Sequence, residues 1–222
     1  LDEHIQIDGG LMTYYTSNHE GVIFYPVLNT TPQRYKCADS YDVVTENADN
    51  TFTLITHDKV EKKFSPADTD GYCHLIHIKH HRGFFEQNYF DWDAVNNRII
   101  KVTDEFGRYL EFGYNGDGYL ETVTDYLGVV RDQFSYDEDG NLIRAEHSNG
   151  KVEIYTYSSG YSNENLNHNM LTEEDGDGNI IRRITYTLDD QIEKEKIYDE
   201  NGQEVDARTY DHGSGVVGVT DA

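Results

Sequence analysis

The feature that most limits what this chain can fold into is a beat of about 22 residues that runs through its middle. Trp92 to Tyr114 is 22 positions, Tyr114 to Tyr136 is 22, and Tyr136 to Tyr157 is 21. Glycines follow the same beat: Gly107, Gly128 and Gly150 lie 21 and 22 apart, and Gly118 and Gly140 lie 22 apart. A fixed period in this range marks stacked supersecondary units, each too small to bury its own apolar face and each completed by its neighbours.

Within a unit the local pattern is that of strands. In Arg108-Tyr109-Leu110-Glu111-Phe112-Gly113-Tyr114 the residues Leu110, Phe112 and Tyr114 alternate onto one face, as a half-buried strand requires. Asp117-Gly118 and Asp139-Gly140, with Asn149-Gly150 at the opposite end of a unit, supply the positive φ that tight hairpin turns demand. The strands are therefore expected to pair as consecutive hairpins. On the returning strands Ile99 and Val102, Leu120 and Val123, and Leu142 and Ala145 stand three apart, where strict alternation would give two. That spacing predicts a recurrent β-bulge or a strong local twist.

Five segments follow from this reading. Residues 1–89 form an all-β region ahead of the repeats, with β-branched or aromatic runs at Gly21-Val22-Ile23-Phe24-Tyr25, Thr51-Phe52-Thr53-Leu54-Ile55-Thr56 and His74-Leu75-Ile76-His77-Ile78. Residues 90–157 carry the regular repeats. Residues 158–170, rich in Ser, Asn, Gly and His without apolar periodicity, read as an inserted loop. Residues 171–212 hold two degenerate units, one led by Asp177-Gly178 and one by Tyr198-Asp199-Glu200-Asn201-Gly202, and residues 213–222 read as a flexible tail. No capped 3.6-residue apolar stripe is evident, so the fold class is all-β.

Charge and motif content exclude several functions. With 18 basic against 42 acidic residues, the formal charge of −24 opposes nucleic acid and anionic membrane surfaces. No run of apolar residues is long enough to insert in a membrane as a helix. Two cysteines, Cys37 and Cys73, make neither a disulfide framework nor a zinc site; they pair across adjacent strands or remain two separate thiols. Asp137 to Gly140 and Asp175 to Gly178 contain fragments of a calcium loop without its twelve-position spacing, and read better as turns. On one strand, His74 and His80 face one side and His77 and His81 the other, so the histidine cluster does not converge on a metal. Neither G-x-S-x-G, a Walker loop nor H-E-x-x-H occurs. The chain is expected to be no enzyme and to hold no cofactor or metal.

Tyr136-Asp137-Glu138-Asp139-Gly140-Asn141-Leu142, with variants at Trp92-Asp93, Tyr114-Asn115 and Tyr198-Asp199, resembles the YD repeat of bacterial Rhs proteins, Tc-toxin shells and teneurins. Val102-Thr103-Asp104-Glu105-Phe106-Gly107-Arg108 and Val123-Thr124-Asp125-Tyr126-Leu127-Gly128 resemble the linker between that family's hairpins. The resemblance implies a spiralling sheet of hairpins forming part of a hollow shell, with Trp92, Asp93, Tyr114, Gly118, Tyr136, Asp137, Gly140, Tyr157, Gly107, Gly128 and Gly150 as its structural repeat residues. It implies as partners the remainder of the same polypeptide and an enclosed C-terminal effector domain, in a secreted or cell-surface bacterial protein. A surface module that binds carbohydrate or another cell through Tyr-rich hairpin faces is the alternative. The D-P-x-G-L self-cleavage motif of Rhs shells is missing here, since no Asp precedes Pro26, Pro32 or Pro66.

Overall fold

A computed structural model describes residues 3–80, 87–93, 95–212 and 218–221, and the chain divides into two compact units, Leu1–Phe112 and Gly113–Ala222. All described strand pairings are antiparallel, and among the described residues the one helical element is a 3-10 turn, Glu164–Leu166. The all-β hairpin architecture expected from the periodicity is the observed one.

In the first unit eight strands close on themselves. β1 (His4–Asp8), β2 (Leu11–Tyr15), β3 (Gly21–Val27), β4 (Arg34–Lys36), β5 (Val43–Glu46), β6 (Phe52–Ile55), β7 (Val60–Phe64) and β8 (Tyr72–His80) each pair with the next, and β8 returns to pair with β1. The three runs read as strands from sequence fall on β3, β6 and β8. Inward residues alternate as the pleat dictates: Met12 and Tyr14, Phe52 and Leu54, and Cys73 and Leu75 are buried, while Ile55 is 48% exposed. With Ile5, Phe24, Val44 and Phe64 they fill the interior, which suits an eight-stranded barrel just wide enough for its own side chains. Each such side chain contributes about 1.5–3 kcal/mol through burial. Cys37 and Cys73 are both free thiols, and burial pushes the Cys73 thiol up to about 12, so it behaves as a small core hydrophobe.

A polar plug accompanies this core. Lys62 Nζ lies 2.5 Å from a Glu3 carboxylate oxygen and donates to the Tyr14 hydroxyl at 2.7 Å, and that hydroxyl donates to Glu3 at 2.9 Å. Burial, reinforced by Glu3, raises the Tyr14 pKa, so the phenol keeps its proton and each polar atom finds a partner. After β8 the unit continues as a meander of β9 (Gln87–Asp93), β10 (Arg98–Asp104) and β11 (Tyr109–Tyr114). Leu110, expected to be half-buried, is 41% exposed although it stands opposite Val102, which packs against the core.

The second unit is a meander throughout. β12 (Leu120–Asp125), β13 (Val130–Tyr136), β14 (Leu142–His147), β15 (Val152–Tyr157), β16 (Met170–Asp175), β17 (Ile180–Tyr186), β18 (Ile192–Tyr198), β19 (Glu204–Asp211) and β20 (Gly218–Asp221) pair in sequence order. Its buried apolar residues are few and mostly small: Val123, Ala145, Leu166, Ile184 and Ala207. Residues 158–169 connect β15 to β16, and Met170, at the end of the segment read as an inserted loop, already belongs to β16. Of the segment read as a flexible tail, residues 213–217 and 222 lie outside the described residues, whereas Gly218–Asp221 is a strand paired with β19.

Bulges occur at two of the three places where the three-residue spacing puts them, within Leu142–Ala145 and within Ile99–Val102. Ser135 faces Arg144 and Tyr136 faces Leu142, which leaves Ile143 as the extra residue between Leu142 and Ala145. Ile99 faces Trp92 and Lys101 faces Asp91, which places Ile100 likewise between Ile99 and Val102. Equivalent shifts recur between β15 and β16, β17 and β18, and β18 and β19, each just after a turn.

Candidate functional site: a repeated turn and the face it frames

One turn is used again and again. At Asp137 the backbone N–H donates to the Asn141 carbonyl at 3.0 Å, the Gly140 N–H donates back to the Asp137 carbonyl at 3.2 Å, and Gly140 sits at φ 84°. The same two backbone bonds close the turns that begin at Asp68, Asp104, Asn115, Asp125, His147, Asp175 and Asp199, with the glycine at φ between 73° and 91°. They also close turns at Thr16, Asn47, Thr56 and Thr187, where His19, Asn50, Lys59 and Asp190 take the left-handed position instead. Asp139 has no positive φ, so these are three-residue loops ending in a bulged left-handed residue, not the two-residue turns that demand two such residues.

The residue that anchors the loop stands three places before the glycine. A side-chain oxygen of Asp68, Asp104, Asn115, Asp125, Asp137, Asp175, Thr187 and Asp199 accepts from the backbone N–H groups two and four residues on, at 2.8–3.3 Å. Asx and Thr side chains suit this because their reach matches a turn's free amides. The second oxygen often serves as well: Asp125 Oδ2 takes the Arg131 guanidinium at 2.5 Å, and Asp137 and Asp175 take the Asn141 and Asn179 side-chain amides at 2.8 and 2.9 Å. The two strings that contain calcium-loop fragments thus spend their leading carboxylates on the chain's own donors. Asp93 anchors a variant turn, accepting from Val95 and Asn96 and facing Arg98 at 3.4 Å.

These bonds hold Asp137, Asp175 and Asp199 below the ordinary carboxylate value of 3.8. A carboxylate whose folded pKa is lowered stabilises the fold above its unfolded value and loses that contribution as pH falls through 3.8 towards the folded value. Acid unfolding below about pH 4 is therefore expected to begin at the hairpin turns. Asp137→Asn, which keeps the accepting Oδ1 but not the charge, should flatten part of that acid dependence in a pH series of melting curves. An unchanged acid limb would mean that the turn carboxylates do not govern it.

The aromatic repeat residues close the strands. Trp92, Tyr114, Tyr136 and Tyr157 stand at or beside the last residues of β9, β11, β13 and β15. The Tyr136 hydroxyl donates to the Leu120 carbonyl at 2.8 Å, and Tyr186 repeats the bond to Met170 at 3.1 Å, each tying one strand's end to the start of the strand before it. Tyr198-Asp199, which resembles the same motif, lies instead at the turn between β18 and β19, in the series that includes Asp104, Asp125 and Asp175. The inserted loop is tied at both sides, by His168 to Asn141 at 2.9 Å and by Asn169 to Asp190 at 2.7 Å. Beneath it lies a cleft of about 80 Å³, well below the size of an ordinary ligand pocket.

Register puts a polar ladder on one face of the second unit. His147 faces Asp132 across the strand pair at 2.6 Å and reaches Glu153 on the next strand at 3.2 Å. Further along, Arg182 lies 3.5 Å from Glu173 and 3.6 Å from Glu195. Tyr155 and Tyr210 donate to Glu153 and Glu195 at 3.2 Å each, and burial beside Glu153 pushes Tyr155 up to about 12. Hydrogen bonds that the ring donates to the Asp132 and Glu153 carboxylates raise the His147 pKa above 6.5. This contribution is complete below pH 6.5 and disappears as pH rises through the folded value. Such a ladder cross-links strands; it has no activated nucleophile. Among the described residues no three His, Cys, Asp or Glu side chains are grouped to hold a metal ion. Of the histidine cluster, His74 stacks on Trp92 and His77 on Tyr89, while His81 lies outside the described residues.

No family model and no curated protein matches this chain. Among solved structures it is similar to a crystal structure of TcdB2-TccC3-TEV, with a TM-score of 0.54 at 13% identity over 90% of this chain and 12% of that one. It is similar also to TcdB2-TccC3 without its hypervariable C-terminal region, with a TM-score of 0.53 at 14% identity and the same coverage. The likeness is one of fold. This chain spans about an eighth of the length of either neighbour.

Proposed function

We propose that this chain is a non-catalytic wall segment of an Rhs/YD-type shell that encloses an effector domain carried on the same polypeptide, outside the producing cell. The observation that carries the reading is the serial hairpin with its anchored turn. A sequence motif that resembles Tc-toxin shells and a fold similar to TcdB2-TccC3 chains point to one architecture by separate routes. The side chains are used as a wall would use them. Turn carboxylates accept from the chain's own amides, Tyr136 and Tyr186 tie neighbouring strands, and the ladder through His147 and Arg182 braces three strands at a time. Those commitments also count against the carbohydrate reading, because the Tyr155 and Tyr210 hydroxyls already have carboxylate partners.

The test is protection. In the full polypeptide that carries this chain, the C-terminal domain should survive a protease concentration that digests the same domain expressed alone. Equal digestion rates would overturn the enclosing role, and saturable binding of this chain on a glycan array would favour the surface module in its place.

A further inference from the structure

β8 is the strand on which the first unit closes, and one of its edges is shared. Residues 72–74 pair with β1 as Gln6 with Tyr72, Ile5 with Cys73 and His4 with His74. Residues 77–79 pair with β9 as His77 with Tyr89, Ile78 with Asn88 and Lys79 with Gln87. Between these two short joins the Leu75 carbonyl accepts the Trp92 indole N–H at 2.7 Å. The opposite edge of β8 is held to β7 over a longer register, from Val60 with His80 to Phe64 with Leu75.

Histidine rings occupy the weaker edge. His4 lies between Tyr15 and Tyr72, with ring centres 4.7 and 4.2 Å away. His74 lies on Trp92 at 4.6 Å and beside Tyr72 at 4.8 Å, and His77 lies on Tyr89 at 4.5 Å. A ladder of rings thus crosses β2, β1, β8 and β9. Nδ1 of His74 and Nε2 of His77 are buried with no hydrogen-bond partner. In a neutral ring such a nitrogen is a bare acceptor; in the charged ring it becomes a buried N–H with nothing to receive it.

The surrounding charges do not rescue the proton. Burial lowers the His74 pKa, with Asp68 opposing and His4, directly across the strand pair, reinforcing. Burial lowers His77 as well; Gln87 and Glu61 oppose that shift, and Lys79 and Lys63 reinforce it. Asp91, with Asp68, lines an open groove of about 390 Å³ along His74 and Trp92, which brings solvent to the seam.

We propose that the seam joining β8 to β1 and β9 is an acid-operated latch: the uncharged rings of His74 and His77 hold the two strands in place, and protonation releases them and opens the barrel at its closure. A lowered folded pKa leaves stability untouched above the unfolded value of 6.5 and erodes it as pH falls below that point. The latch therefore holds at neutral pH and weakens in acid, opposite in sign to the His147 clamp.

Hydrogen–deuterium exchange on the 222-residue chain at about pH 7.5 and about pH 5, corrected for intrinsic exchange rates, reads the seam directly. Peptides covering β1 and β9 should exchange about ten-fold faster at the lower pH, with β5 and β6 little changed. No acceleration, or equal acceleration in β5 and β6, overturns the latch. In the double variant His74→Gln with His77→Gln, β1 and β9 should exchange alike at both pH values; a persisting difference overturns the assignment to these rings. If the double variant does not fold, ring titration of the wild-type chain by NMR decides. Midpoints of His74 and His77 that coincide with the exchange change support the latch, and a change that instead tracks His80 or the turn carboxylates overturns it.

Discussion

Replacing Phe64 with alanine is expected to cost the first unit about 4 kcal/mol, the largest loss from any single truncation considered for this chain. The side chain is fully buried, meets the Tyr14 ring edge-on at 6.0 Å and stands opposite Phe52 in the β6–β7 register. Two costs add there: the lost transfer free energy of a phenyl ring, and the cavity that remains. A closed ring of strands cannot easily collapse into that cavity, because moving β7 inward would break its ladders to both β6 and β8. Against a total stability of roughly 5–15 kcal/mol for a domain of ordinary size, the unit should melt roughly 20 °C lower. Fluorescence of Trp92, the chain's one tryptophan, follows that transition from within the unit. Ile55→Ala is the control: the residue is 48% exposed, and truncating it should cost about 0.5 kcal/mol or less. If the two variants melted together, the barrel interior could not be the packed core described above.

That barrel was the least legible part of the fold. Its strands β3, β6 and β8 announce themselves as β-branched and aromatic runs, but the pairing of Ile5 with Cys73 joins positions far apart in sequence and leaves no local signature. Three of its own turns and one in the second unit were equally hidden in part: His19, Asn50, Lys59 and Asp190 take the left-handed position without the glycine that marks it elsewhere. In the repeats, local chemistry and global fold agree, so glycine spacing alone located Gly107, Gly118, Gly128, Gly140 and Gly150 at real turns. The three-residue spacing of Leu142 and Ala145 likewise marked a real bulge. What the spacing concealed was phase. Tyr198-Asp199 matches the motif by composition, yet its turn belongs to the other series, because Asp-x-x-Gly is the anchor common to both ends of a hairpin and the tyrosine before it is not.

The stacked site around His4 and His74 was out of reach for a related reason. Simple alternation places His74 and His77 on opposite faces, but Lys63 faces His77 while Phe64 faces Leu75, so the strand carries an extra residue between the two histidines. Ile78 consequently turns back towards the core, and His77 is left to stack on Tyr89. A bulge inside one strand is invisible unless its partner's register is known.

The second large effect separates two glycines that look alike in sequence. Gly128 and Gly140 both close anchored turns, at φ 78° and 84°, and either one replaced by alanine must place a Cβ in the left-handed region at about 1–2 kcal/mol. Around Gly128 nothing lies within 4 Å of that Cβ, so its cost ends there. At Gly140 the new Cβ would collide with the Tyr119 hydroxyl and come within 2.8 Å of its ring. Tyr119 is 41% exposed and can swing away, but only by leaving its stack on Tyr136, whose ring centre is 4.8 Å distant. Losing that stack adds about 1 kcal/mol, so Gly140→Ala should cost about 2–3 kcal/mol and Gly128→Ala visibly less. A double-mutant cycle isolates the difference. In a Tyr119→Ala background the excess should vanish and the two glycine variants should become equally costly; an excess that survives removal of Tyr119 would show that the extra strain at Gly140 lies in its backbone and not in the ring packed above it.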